Sequence, residues 1–469
     1  MRQLAALLIA ASLTACSSPA TQNALTPGIL SGAAHSRGGS TPIQHVVVIM
    51  QENRSFDNLF HGFPGADTAT SGPGHGTKYV LQQVPLTWTW DLRHDHTQFL
   101  EDYDQGKDDG FDAQISKFKS GPGCSDPINH PACWAIYNTQ RFKTMAYSYV
   151  EQSKVQPYWT MATQYALGDH TFSSNSGPSF VSHQYLIAAQ SGHSSEVPKG
   201  QPWGCDADPS VYVEVLKYGQ ANPPVFSKAT GYEVPGPFPC FTYPTIAGLL
   251  DGAGITWRYY VEPPPNSGSN LSAFEAISQV FHGPDWANVV RPDTKVLDDI
   301  QAGQLQQVSW VMPSGKKSDH AGRDSGANGP DWVASIVNAI GESKYWNSTA
   351  IIIMWDEWGG WYDHVHPPQY PDPVTHAREG LGFRVPLIVV SPYAKAGYIS
   401  HAQHEIASTV HYIEFIFGLG NLGLADTRAD AFDDMFDYSQ NPLHFQEIPT
   451  KLKAEDFIKH PDDTPADDY

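Results

Sequence analysis

Two short apolar runs constrain this chain more than any other feature. One is His45-Val46-Val47-Val48-Ile49-Met50, and the other is Ala350-Ile351-Ile352-Ile353-Met354-Trp355. Neither alternates with polar residues, so each reads as a strand covered on both faces, as strands of a parallel sheet are. Each run stops abruptly in polar sequence. The first gives way to Gln51-Glu52-Asn53-Arg54-Ser55-Phe56-Asp57, the second to Asp356-Glu357-Trp358-Gly359-Gly360-Trp361-Tyr362-Asp363-His364. In open α/β sheets, ligands sit beyond the carboxyl ends of the strands. Glu52, Asn53, Asp356 and Glu357 are therefore predicted to meet at one site, although they come from opposite ends of the chain. Carboxylate and amide oxygens suit a hard cation such as Mg, Ca or Mn. An adjacent acid pair at the end of a buried strand is costly unless neutralised, and a cation neutralises it directly. The competing reading is hydrogen bonding that ties loops to the strand ends.

The rest of the chain supplies the sheet's other parts. Strand-like runs fall at 256–261, 307–312 and 385–390. Helical patterns fall at 158–167, 180–189, 331–340 (with Asp331 as N-cap) and 405–417. Strands alternating with helices predict an α/β, doubly wound, mostly parallel sheet with long loop insertions. Residues 62–135 and the Pro-, Gly- and Cys-rich 195–245 are the insertions. With 40 Gly and 37 Pro the loops are many, yet 13 Trp, 22 Tyr and 21 Phe mark them as ordered. A length of 469 residues permits several domains, but one large domain over 43–455 with an acidic tail at 456–469 fits better.

The N-terminus reads as a targeting segment. Arg2 precedes an apolar run over 4–13 that is too short to span a bilayer. Leu13-Thr14-Ala15-Cys16 resembles a bacterial lipobox. Residues 1–15 are then a lipoprotein signal peptide, Cys16 carries lipid, and the Ser-, Ala- and Gly-rich stretch to 42 is a flexible tether. The expected location is the bacterial envelope or cell surface, with membrane contact through that lipid alone. Cys124, Cys133, Cys205 and Cys240 remain, an even number that suggests two disulfides in an exported chain. Cys124–Cys133 and Cys205–Cys240 are the local pairings among three possible ones. A net charge of −21 argues against a nucleic-acid partner.

Ser179 is a candidate nucleophile. It follows Gly177-Pro178 and opens the helical run at 180–189. A hydroxyl there feels the positive end of the helix dipole, which stabilises an alkoxide and an incoming phosphate. The plainer reading is an N-cap. The chain holds no Gly-x-Ser-x-Gly elbow and no Cys-x-Pro-x-Arg signature.

The two strand-end runs resemble the bacterial phosphoesterase family that includes phospholipases C and a class of acid phosphatases. Gly177-Pro178-Ser179 and the run from Gly382-Phe383-Arg384-Val385-Pro386 to Ser391-Pro392 fit the same family in the same order. The resemblance covers roughly residues 43–450. It implies an alkaline phosphatase-like core, Ser179 as nucleophile, and one divalent metal ion (Mg, Ca, Mn or Zn) held by Glu52, Asn53, Ser179, Asp356 and Glu357. It also singles out three of the 20 histidines, His94, His320 and His364, to bind phosphate and protonate the leaving oxygen. One position departs from the phospholipase branch: His183 stands where that branch shows arginine. The expectation is an exported phosphatase acting on small phosphate monoesters. The alternatives are a phospholipase C acting on phosphodiester headgroups, or an inactive surface-binding lipoprotein.

Overall fold

The computed structural model describes residues 41–87, 91–114, 116–117, 144–218, 231–262, 271–321, 328–370 and 380–461. The signal segment, Cys16, nearly all of the tether, Cys124, Cys133 and most of the acidic tail lie outside the described residues.

The two apolar runs become the middle of an eight-stranded sheet. Its strands are His45–Gln51 (β1), Ala166–Gly168 (β2), Trp257–Tyr260 (β3), Val289–Val290 (β4), Val308–Val311 (β5), Thr349–Trp355 (β6), Leu387–Val390 (β7) and Tyr398–Ser400 (β8). Their spatial order is β4-β3-β5-β1-β6-β7-β2-β8. β1 pairs in parallel with β5 on one side and β6 on the other, with Gln51 opposite Trp355. β3 and β4 continue the parallel pairing, as do β2 and β8 at the far end. β7 alone runs against its neighbours. The carboxyl ends of all the other strands therefore share one edge, and the start of β7 joins them there. β6 is buried along its whole length and β1 beyond His45, as runs without polar alternation require.

The helices end where the backbone demands. The helix expected over 158–167 is Gln156–Gln164 (α1), with Pro at its start. It stops at Tyr165, so Ala166 to Gly168 are free to pair as β2. Ser179–Ala188 (α2) begins at the serine itself, with Pro178 as N-cap, and is buried throughout. Gly329–Gly341 (α3) starts before Asp331, so Asp331 is not its cap. The Asp331 carboxylate instead accepts hydrogen bonds from Thr450 Oγ1 at 2.7 Å and from the Lys451 and Leu452 amides. The last long helix, Ser408–Phe417 (α4), begins later than the pattern suggested, because Glu405 is held extended beside Phe172. A short helix, Ala454–Lys459 (α5), runs across the boundary expected at 455 because buried Phe457 packs on Trp332, with ring centroids 5.2 Å apart. Cys205 and Cys240 form a disulfide that closes the 195–245 insertion. Among the described residues, no helix is long and apolar enough to cross a membrane.

Candidate active site

The loops leaving β1 and β6 lie side by side because the strands do. The Asp356 amide donates to the Gln51 carbonyl at 3.1 Å, and the Asn53 amide donates to Asp356 Oδ1 at 3.0 Å. Gly359 permits this approach: a Cβ there would lie 2.1 Å from the Asn53 carbonyl oxygen, and its φ is +64°. Asn53 itself adopts φ 57°, a left-handed conformation that asparagine tolerates better than most residues. That twist turns its side chain toward α2.

Asn53 is the hub of the site. Its Oδ1 accepts from the Ser179 hydroxyl at 3.3 Å, and its Nδ2 faces His94 Nε2 at 3.2 Å. His94 Nδ1 lies 2.7 Å from the Leu92 carbonyl, so that nitrogen carries the proton and Nε2 accepts from the Asn53 amide. The His320 ring lies against His94, with centroids 5.5 Å apart, and its Nδ1 faces the Ala321 carbonyl at 2.7 Å. Asp91 Oδ1 is 3.5 Å from His94 Nδ1, and Asp91, His94 and His320 are close enough together to hold a cation. Ser179, His94, His320, Glu52, Asn53, Asp356 and Glu357 are all buried. Glu357 accepts the Gly359 amide at 2.7 Å through Oε2, and its own amide donates to Asp356 Oδ1 at 2.8 Å.

The other serines near Ser179 are engaged elsewhere. Ser173 and Ser182 bond each other at 3.1 Å, Ser174 donates to Glu405 at 2.7 Å, and Ser176 faces His96 Nδ1 at 3.1 Å. Ser179 is the member of this group whose hydroxyl meets the β1 end.

One residue was underrated by sequence reasoning. His183 follows Ser179 by one helical turn, so both side chains leave the same face of α2. Its Nε2 lies 3.7 Å from Asp356 Oδ2, an oxygen that has no hydrogen bond among the described residues. The only readable signal was the departure itself: a histidine standing in an arginine's place.

His364 is placed differently from His94 and His320. Its Nδ1 lies 2.6 Å from Asp57 Oδ2 and its Nε2 3.0 Å from Asp67 Oδ1. Burial opposes its charge, but the hydrogen bond and charge of Asp57, with Asp363 adding to them, push its pKa up to about 9. Both nitrogens are thus committed to carboxylates, and the ring is an imidazolium at neutral pH. Arg384 completes this second network. It is fully buried, donates from Nε to Asp363 Oδ1 at 2.9 Å, and sits 3.4 Å from Asp57 Oδ1. A charged residue between Phe383 and Val385 was the sequence signal for such a pairing.

The chain belongs to the Phosphoesterase family. Its match to the family runs over residues 43–420, and the family is one of hydrolases acting on phosphoric ester bonds. Among individual relatives, the chain is 25% identical to a non-hemolytic phospholipase C of Pseudomonas aeruginosa over 91% of its own length, but spans only 62% of that protein. Phospholipase C B of Mycobacterium tuberculosis is 24% identical over 86% of this chain and 79% of its own. Non-specific phospholipase C6 of Arabidopsis thaliana is 24% identical over 87% of this chain and 75% of its own. Among solved structures, a Vibrio parahaemolyticus protein of the alkaline phosphatase superfamily matches at 12% identity over 58% of this chain and 63% of its own, with a TM-score of 0.33.

The strand-end set also fits a cation. Glu52, Asp356 and Glu357 are fully buried on the two loops that leave β1 and β6, the loops that bring Asn53 to Asp356 and to Ser179. Asp356 Oδ2 is left without a hydrogen bond among the described residues, and His183 is the basic side chain facing it. Buried like charges in this arrangement call for a positive partner.

Proposed function

We propose that this phosphoesterase is exported and cleaves small phosphate monoesters through Ser179. The observation that carries the reading is the Ser179–Asn53–Asp356 chain of contacts, which links the start of a buried helix to both central strand ends. Ser179 Oγ attacks phosphorus, the ester oxygen leaves with a proton, and a phosphoserine forms; water then attacks phosphorus and frees the serine and phosphate. Asn53 orients the hydroxyl, but an amide oxygen is no base. A divalent ion held by Glu52, Asn53, Ser179, Asp356 and Glu357 would lower the hydroxyl's pKa and offset the charge that grows on phosphate. His320 is assigned to phosphate binding and to protonating the leaving oxygen, and His94, whose Nε2 accepts from the Asn53 amide, to holding Asn53 against Ser179. The Cys205–Cys240 disulfide supports an oxidising compartment. Attachment through lipid on Cys16 is part of the same reading, and Cys16→Ser should then move the protein out of the membrane fraction.

A second reading, phospholipase C activity, is favoured by the names of the relatives. A substrate panel separates them. We expect higher kcat/KM for a soluble phosphomonoester than for phosphatidylcholine between about pH 5 and 9, with the optimum on the acidic side where imidazolium binds phosphate. Chelator should abolish turnover of either. A preference for phosphatidylcholine would replace the monoesterase reading with the phospholipase one.

A further inference from the structure

A second group of metal-ligating side chains lies farther along the same sheet edge. β2 and β8 pair in parallel with Gly168 opposite Ser400, so the next residues, Asp169 and His401, leave adjacent strand ends together. The Asp169 amide donates to the Ser400 carbonyl at 3.0 Å and fixes that juxtaposition. His170 Nδ1 lies 2.8 Å from Asp169 Oδ1, and His401 Nδ1 lies 2.9 Å from both Asp169 oxygens. Two imidazoles from different strand ends thus aim the same nitrogen at one carboxylate. The two rings stand at 82° to each other with centroids 6.2 Å apart. Behind His170, Asp67 Oδ2 faces the ring's other nitrogen at 3.6 Å, and the Asp67 amide donates to Asp169 Oδ2 at 2.8 Å.

We propose that Asp169, His170 and His401 form a binding site for zinc or a similar divalent transition ion, with Asp67 supporting His170 from behind. The donor set is one carboxylate and two imidazoles, which suits zinc with a fourth position open. Ligand atoms around tetrahedral zinc with bonds of about 2.0–2.1 Å stand about 3.3 Å apart, so each imidazole nitrogen needs to draw back from the Asp169 carboxylate by only about half an ångström. A carboxylate on the far nitrogen of a liganding histidine is the usual outer support of such sites. Asp169 has no exposed surface, whereas the His401 side chain is 61% exposed, which gives an ion a way in and leaves room for a water or a substrate oxygen. Burial disfavours the Asp169 charge, but the hydrogen bonds from His170, the Asp67 amide and His401 outweigh it and hold the group ionised, as a ligand must be. The site is distinct from the β1 and β6 ends. β2 is separated from β6 by β7, about 10 Å at ordinary strand spacing.

The test is a zinc titration of chelator-treated full-length protein by calorimetry, with cobalt absorption as a second readout. Wild type should bind one more zinc than Asp169→Asn. His170→Ala and His401→Ala should each weaken that zinc by at least about tenfold, and Asp67→Asn should weaken it by about tenfold. Asp356→Asn with Glu357→Gln should leave it in place. Because His401 is exposed, His401→Ala should keep the wild-type circular dichroism spectrum and melting temperature. If folded His401→Ala binds zinc as wild type does, if wild type binds none, or if every zinc is lost with Asp356 and Glu357, the proposal is wrong.

Discussion

Asp356 and Asp363 leave the same strand within one short run, and neither has any exposed surface. Their surroundings are opposite. Asp363 receives the Asp57 and Val365 amides at 3.1 and 3.0 Å and the Arg384 guanidinium at 2.9 Å. Burial pushes its pKa up to about 6, and the charge of Arg384 holds it from rising further. Asp356 receives two amides on one oxygen, while the other, without a hydrogen bond among the described residues, faces His183 at 3.7 Å. The saturated acid ties loops together. The unsaturated one leaves an oxygen pointed at a place where a cation or a phosphoryl group's partner can sit. A buried acid's use is thus decided by whether a fixed counter-charge already meets it.

The largest expected effect lies at the open end of this contrast. Ser179→Ala removes one oxygen from a helix start and should keep the fold, while turnover falls by several orders of magnitude, as loss of a nucleophile does. Turnover within about tenfold of wild type would show that Ser179 is not the nucleophile. The two acids should then part company. Asp356→Asn with Glu357→Gln should eliminate turnover and bound metal at the strand ends yet leave the melting temperature unchanged or higher, because buried like charges are relieved. Asp363→Asn removes one of the two carboxylates that flank Arg384, the other being Asp57, and should cost about 2–3 kcal/mol in a denaturant melt. If Asp363→Asn proves neutral and the Asp356 variant unfolds, the assignment of roles is reversed.

The smallest effect is a pH dependence. The folded His364 pKa of about 9 lies above the ordinary histidine value of 6.5. Its pairing with Asp57 therefore stabilises the protein fully below about pH 6.5, and that stabilisation fades as pH rises through about 9. His364→Gln should lower stability by about 1 kcal/mol at about pH 6 after allowing for solvent at this partly exposed ring, and by little at about pH 10. A gap that stays constant across that range would mean His364 holds the loop by shape alone.

Much of the fold was legible in the chain because local pattern and burial coincide there. β1 and β6 could be read from unbroken β-branched runs, and a parallel sheet follows from strands buried on both faces. The meeting of Asn53 with Asp356 follows from the rule that sites form at strand carboxyl ends. Element ends were less legible. The helix at Tyr165 and the extended segment at Glu405 are decided by pairing with distant partners, Val389 and Tyr398 beside Ala166, and Phe172 beside Glu405.

What the sequence by itself determined is the α/β sheet, the two acid-bearing loops and the serine at a helix start. Only the tertiary structure decided which charges are neutralised. Arg384 meets Asp363 and Asp57 because β7 runs against its neighbours and brings its first residues to the edge where the other strands end. His183 faces Asp356 because α2 packs there, and Asp169 meets His401 because β2 pairs with β8 across a separation of 232 residues. Apolar periodicity is local, so it can be read from a line of residues. Charge compensation depends on distance in space, and that is fixed only when strand order and direction are.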